Sequence, residues 1–364
     1  MPFTSKADLV ADQQANPPLG RITTYPRERY VAFHQTSGTH GHPMVVLDTA
    51  ESWSWWAECW RAVYRGAGVT AADRILFAFG FGPFIGFWSA YAGAQLLGAL
   101  TIPTGGMDAR QRLRLAADAG ATVMVSTITY ALRLAEVARE EGIDLRALGI
   151  RRTIHAGEPG ASIPSVRARV EDAYGALCFD HAGATEVGAH AFSCADRDGL
   201  HVNEGEFIAE ILDASGAPVA EGATGELVLT NLGRAGWPVI RYRTGDLAVN
   251  GGRGCPCGRT FLRLPGGIMG RVDDLMIVRG VNVYPTALEA IVRGFDVGEF
   301  RVVRLRRGDL EELRVDAEAS EETARALAEE LRLRLAVRIE TRAVAAASLP
   351  RFELKARRIV DERS

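Results

Sequence analysis

Lysine is nearly absent from this 364-residue chain. Of 42 basic residues only Lys6 and Lys355 are lysines, which leaves 40 arginines. The skew reads as a mutational bias that turned ordinary surface lysines into arginine. Lys355 escaped it, in the C-terminal stretch Ser348-Leu-Pro-Arg-Phe-Glu-Leu-Lys355-Ala-Arg-Arg-Ile-Val-Asp361. A slim ammonium reaches into a site that excludes a planar guanidinium. Lys6, among the first few residues, reads as chance survival. A second group is Thr36-Ser37-Gly38-Thr39-His40-Gly41, a hydroxyl-and-glycine loop after a strand predicted at Val31–Gln35. Glycines let backbone N–H groups converge on an anion, and hydroxyls add donors, so the loop suits phosphate. It is not a Walker loop, because no Gly-Lys-Ser/Thr follows. Ala156-Gly157-Glu158-Pro159 and Asp180-His181-Ala-Gly-Ala-Thr185-Glu186 each follow a predicted strand. Tyr242-Arg-Thr-Gly-Asp246 sets a carboxylate after a turn, placed to accept from two ribose hydroxyls, and Gly270-Arg271-Val-Asp273-Asp274 comes next.

The cysteines suggest separate chemistry. Cys59, Cys178, Cys194, Cys255 and Cys257 are too few and too uneven for a disulfide scaffold. Cys255-Pro-Cys257-Gly258 resembles a metal knuckle, in which a tight turn aims two thiolates at one ion. Cys194 and His201 would complete a Cys3His zinc site, closed to catalysis. The C-x-C spacing is tighter than that of a zinc ribbon, Cys178 is a rival ligand, and reduced cysteines in loops are the alternative. Of the histidines, His155 and His181 sit beside the motifs above and are expected to line a pocket.

These groups need elements to position them. At 364 residues the chain suits about two domains. Its 47% hydrophobic and 24% charged content fits a packed globular protein, and a net charge of −3 disfavours nucleic-acid binding. No apolar leader stands at the N-terminus, so a cytoplasmic protein is expected. Positions 75 to 107 carry no charge, longer than a membrane span. Gly80, Gly82, Pro83, Gly86, Gly93, Gly98 and Pro103 break that run. The reading is a buried strand (Ile75–Phe79), a buried helix (Phe84–Leu97) and a strand near Ala99–Pro103, not a membrane segment.

Helices are expected at Trp53–Tyr64, Met107–Gly120 and Tyr130–Gly142, with buried strands at Ala121–Ser126 and Thr153–Ala156. That alternation argues for an α/β fold with mostly parallel strands. Phe207–Leu212 and Glu226–Thr230 begin a β-rich subdomain. After a boundary near Gly270–Asp274 come a strand (Leu275–Arg279), a helix (Thr286–Arg293), a strand (Glu299–Arg304), a long helix (Glu321–Leu335) and a strand near Ile339–Val344. The expected division is a large N-terminal domain, residues 1–272, and a small mobile α+β domain, residues 273–364.

The order and spacing of the five motifs resemble the adenylate-forming superfamily, in its phenylacetate–CoA ligase-like branch. The likeness spans Phe33 to Asp361. Gly280-Val-Asn-Val-Tyr-Pro285 and Leu349-Pro-Arg-Phe-Glu-Leu-Lys355 tilt it to that branch. The resemblance implies ATP-dependent conversion of a carboxylic acid, aromatic by preference, to an acyl adenylate. A thiol of coenzyme A or of a carrier-protein arm then takes the acyl group. By the resemblance, Ser37, Gly38, Thr39 and Gly41 hold pyrophosphate, and Gly157, Glu158, Pro159 and Asp180 line the adenine. Thr185 and Glu186 face phosphate and Mg²⁺, Asp246 and Arg271 the ribose, Asp273 is the hinge, and Lys355 is the adenylation lysine. A cation between carboxylate and α-phosphate lowers the barrier to joining two anions, and its withdrawal on a moving domain admits the thiol.

Three positions depart from the pattern. His42 replaces the usual loop lysine and weakens one phosphate-side charge. Ala182 stands where an aromatic commonly packs on adenine, and Leu354 replaces a glycine. The chain starts late relative to typical members, so a reduced N-terminal subdomain is expected. The partners expected are a small acid and a carrier protein or coenzyme A, with the chain a monomer or homodimer. Rival readings are adenylation of an unusual oxyanion, transfer to an amine, a non-catalytic homologue, and a dinucleotide turn at Gly80-Phe-Gly82-Pro-Phe-Ile-Gly86.

Overall fold

Strand Arg74–Phe77, at the start of the uncharged run, shows why charge is missing there. In the computed structural model, which describes residues 1–36, 43–278, 281–307, 310–352 and 356–363, its side chains alternate between two cores. Ile75 and Phe77 join Trp56, Trp60, Phe79 and Val125 on one face, while Leu76 joins Met124, Leu113 and Val166 on the other. Successive strand residues point to opposite faces, and both faces here are covered, so neither parity tolerates charge. Helix Ile85–Leu97 and strand Leu100–Pro103 complete the run as expected. Among the described residues no helix is long and apolar enough to cross a membrane.

The strand belongs to an eight-stranded sheet. Leu100–Pro103, Arg74–Phe77, Val123–Ser126, Arg152–His155 and Leu177–Ala184 run parallel in that spatial order. Gly188–Phe192, Leu200–Val202 and Arg263–Leu264 extend it antiparallel. Helices Ala50–Gly66, Ala109–Asp118, Ile128–Glu140 and Pro164–Tyr174 contribute to its two cores. The β-rich part is a four-stranded antiparallel sheet of Phe207–Leu212, Thr224–Asn231, Tyr242–Val249 and Gly270–Arg271.

Two N-terminal features lay outside the sequence reading. Thr4 bridges to Tyr242 in parallel. Helix Lys6–Ala15 follows, started by a Ser5–Asp8 capping box and burying only Leu9. The bridge lays the first residues along strand Tyr242–Val249.

The small C-terminal unit has its own core. Met276, Leu288, Val302, Val315, Leu327 and Leu331 form it, sharing no residue with the other two. Its sheet runs Glu340–Val344, Leu310–Glu318, Phe300–Arg307, Ile359–Asp361. Helices Pro285–Val292 and Glu321–Leu335 pack on that core. The large α/β unit and the small α+β unit match the expected fold class.

Candidate active site

The carboxyl ends of parallel strands are where open α/β sheets bind ligands, and two of the sequence motifs lie there. After strand Arg152–His155 the chain turns at Gly157, whose φ of +94° favours glycine. Glu158 follows, half-buried. Its Oε1 accepts from the Thr129 amide at 2.8 Å, in the first turn of helix Ile128–Glu140. Its Oε2 accepts from the Ala356 amide at 2.9 Å. Burial raises the Glu158 pKa, opposed by these two amides.

Asp180 lies one strand over. Its Oδ2 accepts from the Ser162 amide at 3.1 Å and hydroxyl at 2.5 Å, and Oδ1 from the His181 amide at 2.9 Å. Burial pushes it up to about 6. The Pro265-Gly-Gly267 loop presses on this pair. A Cβ on Gly267 would stand 2.6 Å from Ser162 Oγ and 3.2 Å from Asp180 Oδ2, and its φ is +70°.

Thr185 and Glu186 occupy the turn between strands Leu177–Ala184 and Gly188–Phe192. Arg234 fixes that turn from below. Its Nη1 donates to the carbonyls of Thr185 at 2.8 Å and Glu186 at 3.1 Å. Nε and Nη2 each donate to an Asp48 carboxylate oxygen at 2.7 Å. Both side chains are 0% exposed, and the guanidinium lies 5.1 Å from the Trp56 ring centre. A planar fork can satisfy a carboxylate and two carbonyls together; an ammonium cannot.

The Glu186 carboxylate is nearly enclosed, with Lys6 Nζ 3.1 Å from Oε1. Tyr242 hydrogen-bonds the same carboxylate, and burial together with the charges of Glu186 and Asp246 raises its phenol pKa, partly offset by Arg271. Asp246 and Arg271 are paired across adjacent strands, with Nη1 to Oδ1 at 3.3 Å. Lys6, Glu186, Tyr242, Asp246 and Arg271 therefore form one charged cluster.

Several predicted residues fall elsewhere. Ser37, Gly38, Thr39, Gly41 and Lys355 lie outside the described residues, as do His42 and Leu354. The described ends of the first loop are joined: Thr36 donates its amide to Met44 O at 3.0 Å, and its hydroxyl accepts from the Met44 amide at 3.0 Å. Pro159 is half-buried next to Glu158, and Asp273 is exposed between strands Gly270–Arg271 and Met276–Val278. His155 is wholly enclosed, bonded to Ser126 Oγ at 3.3 Å and Thr153 Oγ1 at 2.9 Å, and burial lowers it to about 3. His181 is buried, bonded to Ala191 O at 2.8 Å and against Trp60, and is likewise lowered to about 3. Beyond strand Arg74–Phe77, Phe79 stacks on Phe87 at 3.7 Å, next to Phe81, Trp88 and Tyr91.

The four metal-ligand candidates come together. One ligand atom from each of Cys194, His201, Cys255 and Cys257 lies within 4.8 Å of every other. Cys194 Sγ is 3.8 Å from Cys255 Sγ, and Cys257 Sγ is 3.5 Å from His201 Nε2. Cys178, the rival, is buried in strand Leu177–Ala184 and outside the group.

The sequence reading did not single out Lys6, Asp48, Thr129, Ser162, Arg234 and Tyr242, which contact the candidate site residues. For Lys6 the signal was present, since the scarcity of lysine that singled out Lys355 applied equally to it. Asp48 and Arg234, 186 positions apart, gave no local sign.

The AMP-binding enzyme family model matches residues 5–233, and the AMP-binding enzyme C-terminal domain model matches residues 280–363. The phenylacetate-coenzyme A ligase of Thermus thermophilus is 34% identical over 338 residues, 91% of this chain and 74% of that protein. A crystal structure of 2-hydroxyisobutyryl-CoA ligase in the postadenylation state, in complex with R3-HIB-AMP, superposes with a TM-score of 0.94 at 32% identity, covering 100% of this chain and 80% of that one. The same ligase in the thioesterification state, at the same identity and coverage, gives 0.74. Identity and coverage are equal in the two comparisons, so the difference lies in how the parts of the two structures are arranged, and this chain superposes better on the first. Two family models, the curated relative and the two-part architecture agree: the chain belongs to the AMP-binding enzyme family, alongside the phenylacetate–coenzyme A ligases.

Proposed function

We propose that the protein joins an aromatic carboxylic acid to the thiol of coenzyme A through an acyl adenylate, releasing pyrophosphate and then AMP. The observation that carries this reading is the fit of the whole chain, at a TM-score of 0.94, to an acid–CoA ligase caught after adenylation. In our reading Asp180, Ser162 and the Gly157–Pro159 turn border the base, while Asp246 and Arg271 face the ribose. Glu186 and Lys6 stand at the phosphates with the loop of Ser37, Gly38, Thr39 and Gly41. Lys355 supplies the cation between acid and α-phosphate, and Asp273 the pivot. Phe79 is buried in the core, so the edge left to an aryl group is that of Phe81, Phe87 and Trp88, which keep some exposure.

Mg²⁺ fits this site: one enclosed carboxylate, Glu186, beside the Thr185 hydroxyl suits an ion that takes one or two protein ligands and completes its shell with phosphate oxygens and water. When bound it supplies charge neutralisation at the phosphates. The Cys194, His201, Cys255 and Cys257 set fits Zn²⁺, because their spacings suit tetrahedral coordination by three sulfurs and a nitrogen. Among the described residues no fifth group joins the cluster, so the role would be structural.

The test is carboxylate-dependent ATP–pyrophosphate exchange across a panel of aryl and alkyl acids, with mass detection of the coenzyme A product. Exchange with phenylacetate, lost in Lys355→Ala, is the expected result. No exchange with any acid refutes the reading, and exchange without a coenzyme A product points to a carrier protein.

A further inference from the structure

Both oxygens of Glu158 are committed to backbone amides, and the two amides belong to different parts of the molecule. Thr129 lies at the start of a helix of the large unit, where a carboxylate also meets the positive end of the helix dipole. Ala356 lies in the tail of the small unit, one residue after Lys355. Neither amide can be turned to another acceptor without moving its own segment. Arg358, two residues on, adds a favourable charge at Glu158 and is itself tied into the small unit through Glu289 at 3.1 Å and Glu299 at 2.7 Å.

Other contacts cross the same face. Arg351 Nε stands 3.4 Å from Glu136 Oε2, Ser165 Oγ donates to Ala290 O at 2.8 Å, and Arg169 donates through both Nη atoms to Val297 O at 3.1 Å. These three lie on helices Ile128–Glu140 and Pro164–Tyr174. Glu158 differs in standing on the turn that follows strand Arg152–His155, at the nucleotide end of the sheet. It alone of these ties a candidate ATP-binding turn to the tail segment.

We propose that Glu158 is a positioning residue that latches the tail segment in the arrangement used for adenylation and releases it for thioester formation. The inference rests on the ligase reading above and deepens it. The bond between Glu158 and Ala356 spans two units whose arrangement differs between the postadenylation and thioesterification states of the related ligase. An interaction made in one arrangement favours that state by its own differential free energy and no more. A charge-assisted bond to a half-buried carboxylate is strong enough to bias the balance and weak enough to break in each turnover. Glu158 thus acts on the first half-reaction through the segment that carries Lys355, without touching the reacting atoms.

The experiment uses Glu158→Gln in the full chain. Glutamine keeps an acceptor for Thr129 and turns its NH2 toward the Ala356 amide. ATP–pyrophosphate exchange with phenylacetate should fall at least about tenfold relative to thioester formation from chemically made phenylacetyl adenylate and coenzyme A. A purely structural role lowers both alike and leaves that ratio unchanged, which would overturn the proposal. Small-angle scattering provides a second arm. The unmutated chain should fit the docked arrangement and the variant a more extended one; superimposable profiles also overturn it. Ala356→Pro, which deletes the donor itself, repeats both arms if Glu158→Gln folds poorly. Absence of exchange in the unmutated protein instead sinks the ligase reading, and the scattering arm still decides the latch.

Discussion

Removing the Arg234 guanidinium should damage stability and the site by separable amounts. In Arg234→Met the Asp48 carboxylate keeps its burial and loses both 2.7 Å donors, and the carbonyls of Thr185 and Glu186 lose theirs. Deleting one partner of a fully buried ion pair costs about 3–5 kcal/mol. Because the large unit holds both residues, the loss should appear in its urea transition, followed by tryptophan fluorescence. The double variant Asp48→Leu/Arg234→Met removes the stranded charge as well, so it should regain most of that stability. It should not regain ATP–pyrophosphate exchange, since the Thr185–Glu186 turn still lacks its donor. A single variant losing less than ~1 kcal/mol would refute the assignment of a dry, obligatory pair. Restored exchange in the double variant would refute the claim that Arg234 positions the turn.

Lys6→Met should leave thermal stability nearly unchanged, because Lys6 is half-exposed and such pairs contribute little. It should raise KM for ATP several-fold more than it lowers kcat, and an unchanged KM would remove Lys6 from the phosphate side. Cys257→Ser should lower zinc, measured by elemental analysis, from one ion per chain, and Co²⁺ substitution of the parent should give the strong visible absorption of a tetrahedral thiolate site. A metal-free parent purified with zinc in the buffers would dismiss the site. For Asp180 the folded chain binds its proton more tightly than the unfolded chain, as burial lifts it from 3.8 to about 6. Its contribution to stability is full below pH 4 and is lost as pH rises through 6, by up to ~3 kcal/mol. Asp180→Asn should therefore gain on the parent between pH 4 and pH 7 in chemical denaturation, and a constant difference would show that the carboxyl is not desolvated as described.

The sequence was most legible where burial is two-sided or the pattern is long. The run from position 75 to 107 announced strand, helix and strand because both faces of the sheet are covered. Helix Glu321–Leu335 was found to the residue from its amphipathic spacing. Strand Leu310–Glu318 was not anticipated. Leu313, Val315 and Ala317 fill the third core, but the alternate face carries Arg314 and Asp316, and charges engaged with neighbours across the sheet masked the period. Helix Lys6–Ala15 was missed for the opposite reason, since burying Leu9 alone leaves almost no apolar stripe.

In the site, local motifs placed Glu158, Asp180, Glu186, Asp246 and Arg271 on loops and strand ends. Their partners Asp48, Ser162, Arg234 and Tyr242 come from other elements, and only the folded chain pairs them. The zinc-ligand candidates were recoverable because cysteine is rare and Cys255 and Cys257 share one turn.

The strap from Thr4 to Tyr242 bears on biosynthesis. Lys6 meets Glu186, Asp48 meets Arg234 and Thr4 meets Tyr242, so the charged cluster closes only after strand Tyr242–Val249 has left the ribosome. At ~5–20 residues per second the opening segment waits roughly ten seconds or more for its neighbour. During that interval Leu9, buried in the finished fold, has no completed surface to rest on. The opening segment is thus open to chaperones and to misassembly before the small C-terminal unit has been made.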